Sequence, residues 1–126
     1  MQRYILIDGK KIKQPDSFTP NWATTYTEDS ERSMSGKAYL EPMFTVESYS
    51  FEATDLSPEE AKLLLQSIIP RPKKPTFQLT YFSWYYGEWR TDTFYVGQGS
   101  LNTRSLKENY EALETISCDM IGVNPL

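Results

Sequence analysis

Carboxylates are the side chains of this sequence best suited to chemistry, and they occur in two groups. Glu59 and Glu60 are adjacent, which suggests a general acid and base pair. Glu28, Asp29 and Glu31 are close enough in sequence to ligate a hard cation. However, the first pair lies at the start of a predicted helix, where carboxylates interact with unpaired N–H groups. The second group lacks the alternating carboxylates and the glycine of a calcium loop, and we expect it to form a solvated loop.

The other candidate chemical motifs are weaker. Gly97-Gln98-Gly99-Ser100 lacks the third glycine, the lysine and the following helix start of a phosphate-binding loop. Cys118 lies in an alternating apolar segment without a basic neighbour to activate it, which predicts a core position. The chain has no histidine, which excludes Ser-His-Asp and Cys-His pairs and His-ligated zinc. We therefore expect no enzyme activity, no cofactor and no metal ion.

The composition is typical of one acidic globular domain. The 126 residues include 13 Lys plus Arg and 17 Asp plus Glu, for a net charge of −4, and the length permits a core without disulfides. Negative charge disfavours binding to nucleic acid, since that affinity comes mainly from Lys and Arg on phosphates. The apolar run Tyr4–Ile7 is too short for a signal peptide or a membrane span. We expect synthesis in a cytoplasm, no sequence-specific nucleic-acid contact and no membrane insertion.

The elements that would position these residues begin with a hairpin. Arg3 to Ile7 and Lys10 to Lys13 flank Asp8-Gly9, a pair that adopts the positive φ angles of a two-residue turn. Residues 16–38 are polar, which predicts a long connection that is irregular or partly extended, and the stretch without usable periodicity within it predicts a polar loop at 27–38.

A long strand is predicted between Tyr39 and Ala53, with a change of phase. Phe44 and Val46 share one parity, whereas Tyr49 and Phe51 share the other. A β-bulge near Glu47-Ser48 would bring both sets to one face of the sheet, and it would bend the strand.

The clearest local signal is a helix at 58–69. Ser57 is suited to the N-cap, Pro58 to the first helical position and Glu60 to the reciprocal bond of a capping box. An apolar stripe follows at helical spacing, and Pro70 ends the helix. The stripe consists of Ala61, Leu64, Leu65 and Ile68.

The remaining segments predict further strands. Residues 76–96 hold half of the aromatic residues and predict two strands joined by a turn at Tyr86-Gly87-Glu88. We expect the run from Gly97 to Arg104 to interrupt the structure and Ala112 to Val123 to form the last strand. One helix between strands predicts a mainly β, α+β fold. We expect a single domain over 1–126, an antiparallel β-sandwich or open barrel flanked by the helix.

The aromatic hairpin contains more rings than one sheet face can bury. Because side chains alternate along a strand, the adjacent Trp84, Tyr85 and Tyr86 cannot all face one core. The surplus is explained by a subunit interface, by packing under the long loop, or by a ligand platform such as a sugar-stacking surface.

Charge is distributed unevenly along the chain. Residues 28–60 carry a net charge of −7, while residues 1–14 carry +3 and residues 62–75 carry +4. Solvated faces explain such a pattern, and so does head-to-tail stacking of copies through opposite poles.

Several short motifs are spread over nearly the whole chain. They are an Ile-Asp-Gly turn at 7–9, Asp29, Arg32 and Gly36 in the polar loop, the Leu56-Ser57 helix entry with Glu60 and Leu64-Leu65, the strand end Thr93 to Gly97, and the last strand from Ile116 to Ile121. Together they resemble an uncharacterised family of tailed-bacteriophage and prophage tail-region proteins. The element order is similar to the fold of tail-tube and distal tail proteins, a β-sandwich with a flanking helix and a long loop.

The resemblance implies a structural, non-enzymatic protein of the phage tail in the virion, made in the bacterial host cytoplasm. Such proteins form homo-oligomeric rings, commonly hexamers, whose sheets join side by side and whose long loops contact the next ring or other tail proteins. By position, the resemblance makes the polar-loop residues Glu28, Asp29, Glu31, Arg32, Met34 and Lys37 candidate subunit-interface residues. The surplus of rings in the aromatic hairpin adds Trp84, Tyr86 and Trp89 as further candidates. The alternative is a small carbohydrate-binding β-sandwich module that uses Trp84, Tyr86 and Trp89 as a stacking platform.

Overall fold

β-Strands predominate in the computed structural model, which describes residues 3–26, 31–32, 36 and 38–126. The elements are β1 (Leu6–Ile7), β2 (Lys10–Lys11), β3 (Ser17–Tyr26), β4 (Glu31–Arg32), β5 (Ala38–Tyr39), β6 (Pro42–Leu56), α1 (Pro58–Ile68), β7 (Phe77–Ser83), β8 (Glu88–Ser105) and β9 (Ala112–Gly122). Seven strands form one antiparallel sheet in the order β2-β1-β7-β8-β9-β6-β3, and β4 pairs with β5. The predicted mainly β fold with one helix is confirmed, and the sheet does not close on itself.

The first hairpin and the helix form as predicted. Asp8 and Gly9 have φ angles of 53° and 78°, and the turn joins strands shorter than expected. Ser57 Oγ accepts a bond of 3.3 Å from the N–H of Glu60, while the N–H of Ser57 donates to Glu60 Oε1 at 3.0 Å. Leu64 and Ile68 are buried on the inner side of α1, so the predicted stripe faces the core. The length of α1 is 11 residues, and no helix in the described part of the chain is long and apolar enough to cross a membrane.

Of the two forms predicted for 16–38, irregular or partly extended, the extended form holds over Ser17–Tyr26, but this segment is a regular ten-residue strand, β3, which the sequence did not predict. This strand pairs along its length with β6 and lies at the edge of the sheet. Most of its side chains are exposed on both faces, so its sequence lacks the apolar alternation of a half-buried strand. Pro20 is compatible with the edge position, because an edge strand leaves half of its N–H groups without a partner strand.

The β-bulge predicted near Glu47-Ser48 is also wrong. Trp22 pairs with Glu47 and Asn21 with Ser48 in unbroken register, and the shift between β3 and β6 occurs nearer the strand end, at Tyr26. The phase of β6 is continuous because the inner position before Tyr49 is filled by Glu47, which is buried, whereas Phe44 is exposed.

The segment Gly97 to Arg104 continues β8 and does not interrupt the structure, contrary to the prediction. Its pairing with β9 shifts between Val96 and Gly99, a bulge in the ladder. A Cβ at Gly99 would lie 3.0 Å from Cys118 Cβ, so the close approach of β8 and β9 favours glycine there. Gly99, one of the two glycines that suggested a loop, thus permits the strand pairing.

The core lies on the concave inner face of the sheet, with α1 against it. Inner side chains of β6 and β7 meet although β8 and β9 separate these strands, since the rings of Tyr49 and Tyr81 are 5.2 Å apart. The ring of Phe18 from β3 stacks on Tyr49 at 4.5 Å. The sheet is therefore strongly curved. The predicted inner side of β9 is confirmed by the burial of Ile116, Cys118 and Met120.

Candidate interaction surface

One end of the sheet extends beyond β9 as an arm made of β3 and β6. The pairing of β6 with β9 ends at Ser48, so among the described strands residues 22–26 and 42–47 pair only with each other. Thr24 and Thr45 face each other across the arm with their hydroxyls 2.8 Å apart. Trp22 lies opposite Glu47, on the same inner face. We call residues 22–26 and 42–47 the arm.

A cleft lies between the inner face of the arm and the turn that joins β7 to β8. Its volume is about 480 Å³, and it is lined by Pro20, Asn21, Trp22, Thr24, Thr45, Glu47, Tyr49, Trp84, Tyr85 and Leu126. The N–H of Leu126 donates to the carbonyl of Thr45 at 2.8 Å, which ties the end of the sequence to the arm. Trp22 and Trp84 are 76% and 73% exposed, so large apolar surfaces stand open to solvent. We call this feature the aromatic cleft.

A buried carboxylate forms the floor of the aromatic cleft. Glu47 is only 9% exposed and accepts hydrogen bonds from two tyrosine hydroxyls, that of Tyr49 at 3.1 Å and that of Tyr81. Burial is the main cause that raises the pKa of both phenols, and the adjacent Glu47 raises it further. Both phenols therefore stay protonated and can donate hydrogen bonds. Among the side chains that the structure describes, none from Lys or Arg forms an ion pair with Glu47. The cleft thus combines aromatic walls with an acidic floor.

The predicted aromatic platform is only partly assembled on the hairpin. Trp84 and Trp89 both pack edge-to-face against Phe82, at centroid distances of 5.1 and 6.1 Å. The guanidinium of Arg90 lies over the ring of Tyr86, 3.8 Å from the ring centroid. Tyr86 therefore packs against Arg90. Of the three predicted residues, Trp84 alone lines the aromatic cleft.

A basic turn lies at the opposite end of β7. Arg71 and Lys74 exchange two backbone hydrogen bonds of 3.0 and 2.9 Å, which fixes the turn. Lys74 forms an ion pair with Asp8, while Arg71 and Lys73 are exposed. Burial raises the pKa of Asp8, but the N–H of Gln78 and the ammonium of Lys74 outweigh this and lower it overall. We call residues 71–74 the basic turn.

The structure describes few of the interface candidates that were predicted in the polar loop. Glu28, Asp29, Met34 and Lys37 lie outside the described residues, and so does most of the predicted loop 27–38. The backbones of Glu31 and Arg32 form β4, where they pair with Tyr39 and Ala38.

The other candidates from the sequence have structural roles. Glu60 is held in the capping box, which fits the interpretation of Glu59 and Glu60 as helix-start carboxylates. Cys118 is buried as predicted, and burial raises the pKa of its thiol to about 12, so it remains a protonated core side chain.

Sequence reasoning missed the two residues that define the aromatic cleft, Trp22 and Glu47. Trp22 is a large apolar residue in a polar segment, and that isolation was the available signal. Glu47 shares the parity of Tyr49 and Phe51, which was the available signal for an inner position, but the predicted bulge at Glu47-Ser48 interrupted that parity.

The chain matches no protein-family model, and no curated protein matches it either.

Proposed function

We propose that the chain is a structural, non-enzymatic component of a bacteriophage or prophage tail that assembles through its sheet edges and arm into a ring of the tail tube, distal tail or baseplate. The observation that carries the proposal is the outer edge of β3. Ten residues of this strand pair on one side only within the described chain, and the arm adds the exposed side chains of Trp22, Tyr26, Met43 and Phe44. A long free edge next to exposed rings favours pairing with another chain.

A second free edge supports side-by-side assembly. β8 pairs with β7 only as far as Phe94, so Gly97 to Ser105 have a partner on one side alone among the described strands. Three antiparallel steps separate β8 from β3, so the two strands run in opposite directions. The β3 edge of one copy placed beside the β8 edge of the next would continue the antiparallel alternation. The β3 edge and the β8 edge are offset from each other along the strand direction. Pairing them between copies would therefore tilt the strands relative to the axis of the assembly, as in a barrel.

The finer fold belongs to the same proposal. The strongly curved sheet, with α1 on its concave side and a protruding arm, would then represent a tail-tube-like β-sandwich or open barrel. In that arrangement the arm and the residues between β3 and β6 would contact the neighbouring subunit or ring, and copies of the chain and other tail proteins would be its partners.

The test is the oligomeric state of the purified chain and of an edge variant. Ala23→Lys places a charge on the exposed β3 edge, where a lysine opposes strand addition. Gln78→Lys is the matched control, since Gln78 is exposed on β7 in the interior of the sheet. We expect rings by electron microscopy for the natural chain and for Gln78→Lys, and no rings for Ala23→Lys. A natural chain that remains monomeric at high concentration would refute the proposal.

A carbohydrate-binding module is the second candidate, favoured by exposed Trp84 at the aromatic cleft. Tryptophan fluorescence titrated with a glycan panel separates the two. Saturable quenching that is lost in Trp84→Ala would support the module, and an unchanged signal would leave assembly as the function.

A further inference from the structure

We propose that the aromatic cleft is a receptor for the basic turn of a second copy, so that copies join head to tail along the strand direction. The inference rests on the proposed function only in taking the partner to be another copy of this chain. It adds a second contact, distinct from the sheet edges, and names the residues on each side of it.

The chemistry of the cleft selects a cationic side chain. Glu47 lies at the floor with two phenol donors and, among described side chains, no cation. A buried carboxylate without a positive partner is costly, and a guanidinium or ammonium brought to it relieves that cost. Trp22, Trp84 and Tyr85 line the approach, and aromatic faces attract cations. A neutral apolar ligand would match the aromatic walls but would leave the carboxylate of Glu47 without a positive partner.

The basic turn has the matching shape and charge. Its two backbone hydrogen bonds and Pro72 hold Arg71 and Lys73 on a short projection, and both side chains are exposed. Lys74 is already paired with Asp8, and this pair anchors the turn to the first hairpin. Among the described residues, neither Arg71 nor Lys73 forms an ion pair, so both are available to a partner. A turn fixed in advance loses little conformational entropy on binding.

The positions of the two features require a second molecule. The basic turn precedes β7 and the residues Trp84 and Tyr85 follow it, so the seven residues of β7 separate turn and cleft. At about 3.3 Å per residue the strand alone spans roughly 23 Å, so a copy cannot insert its own turn into its own cleft. Contact between unlike surfaces on opposite ends is heterologous, and it builds stacks or closed rings.

A complementation experiment tests this contact. The turn variant Arg71→Glu/Lys73→Glu has an intact cleft and no basic turn. The cleft variant Trp22→Ala/Trp84→Ala has an intact turn and an impaired cleft, and we expect it to fold because both tryptophans are exposed. Sedimentation velocity and electron microscopy then score stacking separately from edge-to-edge rings, with circular dichroism as the check on folding.

We expect the natural chain to stack, in a manner that high salt reverses. Each variant alone should need a concentration roughly tenfold higher or more to stack, since a lost cation contact of this kind weakens binding to that degree. A mixture of the two variants restores one complete contact per pair, so it should form pairs and not stacks.

The outcomes separate this inference from the proposed function. Rings that stack equally well in both variants overturn the inference and leave the proposed function standing. Stacks without rings support the inference and count against the ring. A mixture that forms no pairs shows that the contact is not heterologous, and a natural chain that stays monomeric refutes both.

Discussion

Tyr81 on β7 donates a hydrogen bond to the carboxylate of Glu47 on β6, although β8 and β9 lie between these strands in the sheet. In a flat sheet three steps of about 4.8 Å would hold the strands roughly 14 Å apart. The bond therefore spans the concave face, and it fixes the curvature that brings the β7–β8 turn opposite the arm. The floor of the aromatic cleft and the curvature of the sheet depend on the same pair of side chains.

Tyr81→Phe should destabilise the fold by about 1.5–3 kcal/mol, because it removes a donor to a buried carboxylate. Urea unfolding measures the change. Tyr95→Phe is the matched control, since Tyr95 is partly exposed on the outer face of β8 and its loss of a hydroxyl should cost close to nothing.

The same substitution in a Glu47→Gln background isolates the pair. If the hydroxyl acts through the carboxylate, Tyr81→Phe should cost less in that background, and the double-mutant cycle should give a coupling of about 0.5–3 kcal/mol. Equal costs in the two backgrounds would show that Tyr81 stabilises the core by packing alone.

Stability should fall as the pH rises above about 10. The pKa of Tyr49 and of Tyr81 is raised in the folded state by burial and by Glu47, while the same phenols in the unfolded chain ionise near pH 10. Stability from these groups is thus complete below pH 10 and is lost progressively above it, because the unfolded state releases protons first.

Urea midpoints between pH 8 and 11 test this expectation. The double variant Tyr49→Phe/Tyr81→Phe should be less stable at pH 8 and should lose less stability over the interval than the natural chain. Parallel losses in the two proteins would assign the alkaline transition to other groups.

The elements that the sequence predicts well have their determinants close together in the chain. Asp8-Gly9 carries its own turn preference, and Ser57 and Glu60 complete a capping box over four residues. The inner side of β9 follows from simple alternation around Cys118.

The features that the sequence misses depend on partners far away in the chain. β3 is a strand because β6 pairs with it. Its own side chains show no alternation of buried and exposed residues from which a strand could be predicted. Glu47 faces inward because Tyr49 and a tyrosine 34 residues distant supply its donors. The aromatic cleft therefore could not be predicted from local pattern, since its walls come from segments that only the curved sheet brings together.

Glu60→Ala should cost about 1 kcal/mol in the free energy of unfolding, whereas Glu59→Ala should cost a few tenths. Both substitutions remove one negative charge from the first turn of α1, but only Glu60 accepts the N–H of Ser57. Thermal or urea unfolding of the two variants measures the difference. Equal effects would mean that charge at the helix start, and not the reciprocal hydrogen bond, provides the stabilisation.

Gly122→Ala should destabilise the chain by about 1–3 kcal/mol and disturb the aromatic cleft. A Cβ at this position would lie 3.0 Å from the carbonyl oxygen of Glu47, so β6 would have to shift at the residue that forms the cleft floor. Gly97→Ala is the matched control, because a Cβ there meets no atom within 4 Å and should be neutral or slightly stabilising. Urea unfolding gives the stabilities, and tryptophan emission reports the surroundings of Trp22 and Trp84. Unchanged stability and emission in Gly122→Ala would show that β6 and β9 yield locally without moving Glu47.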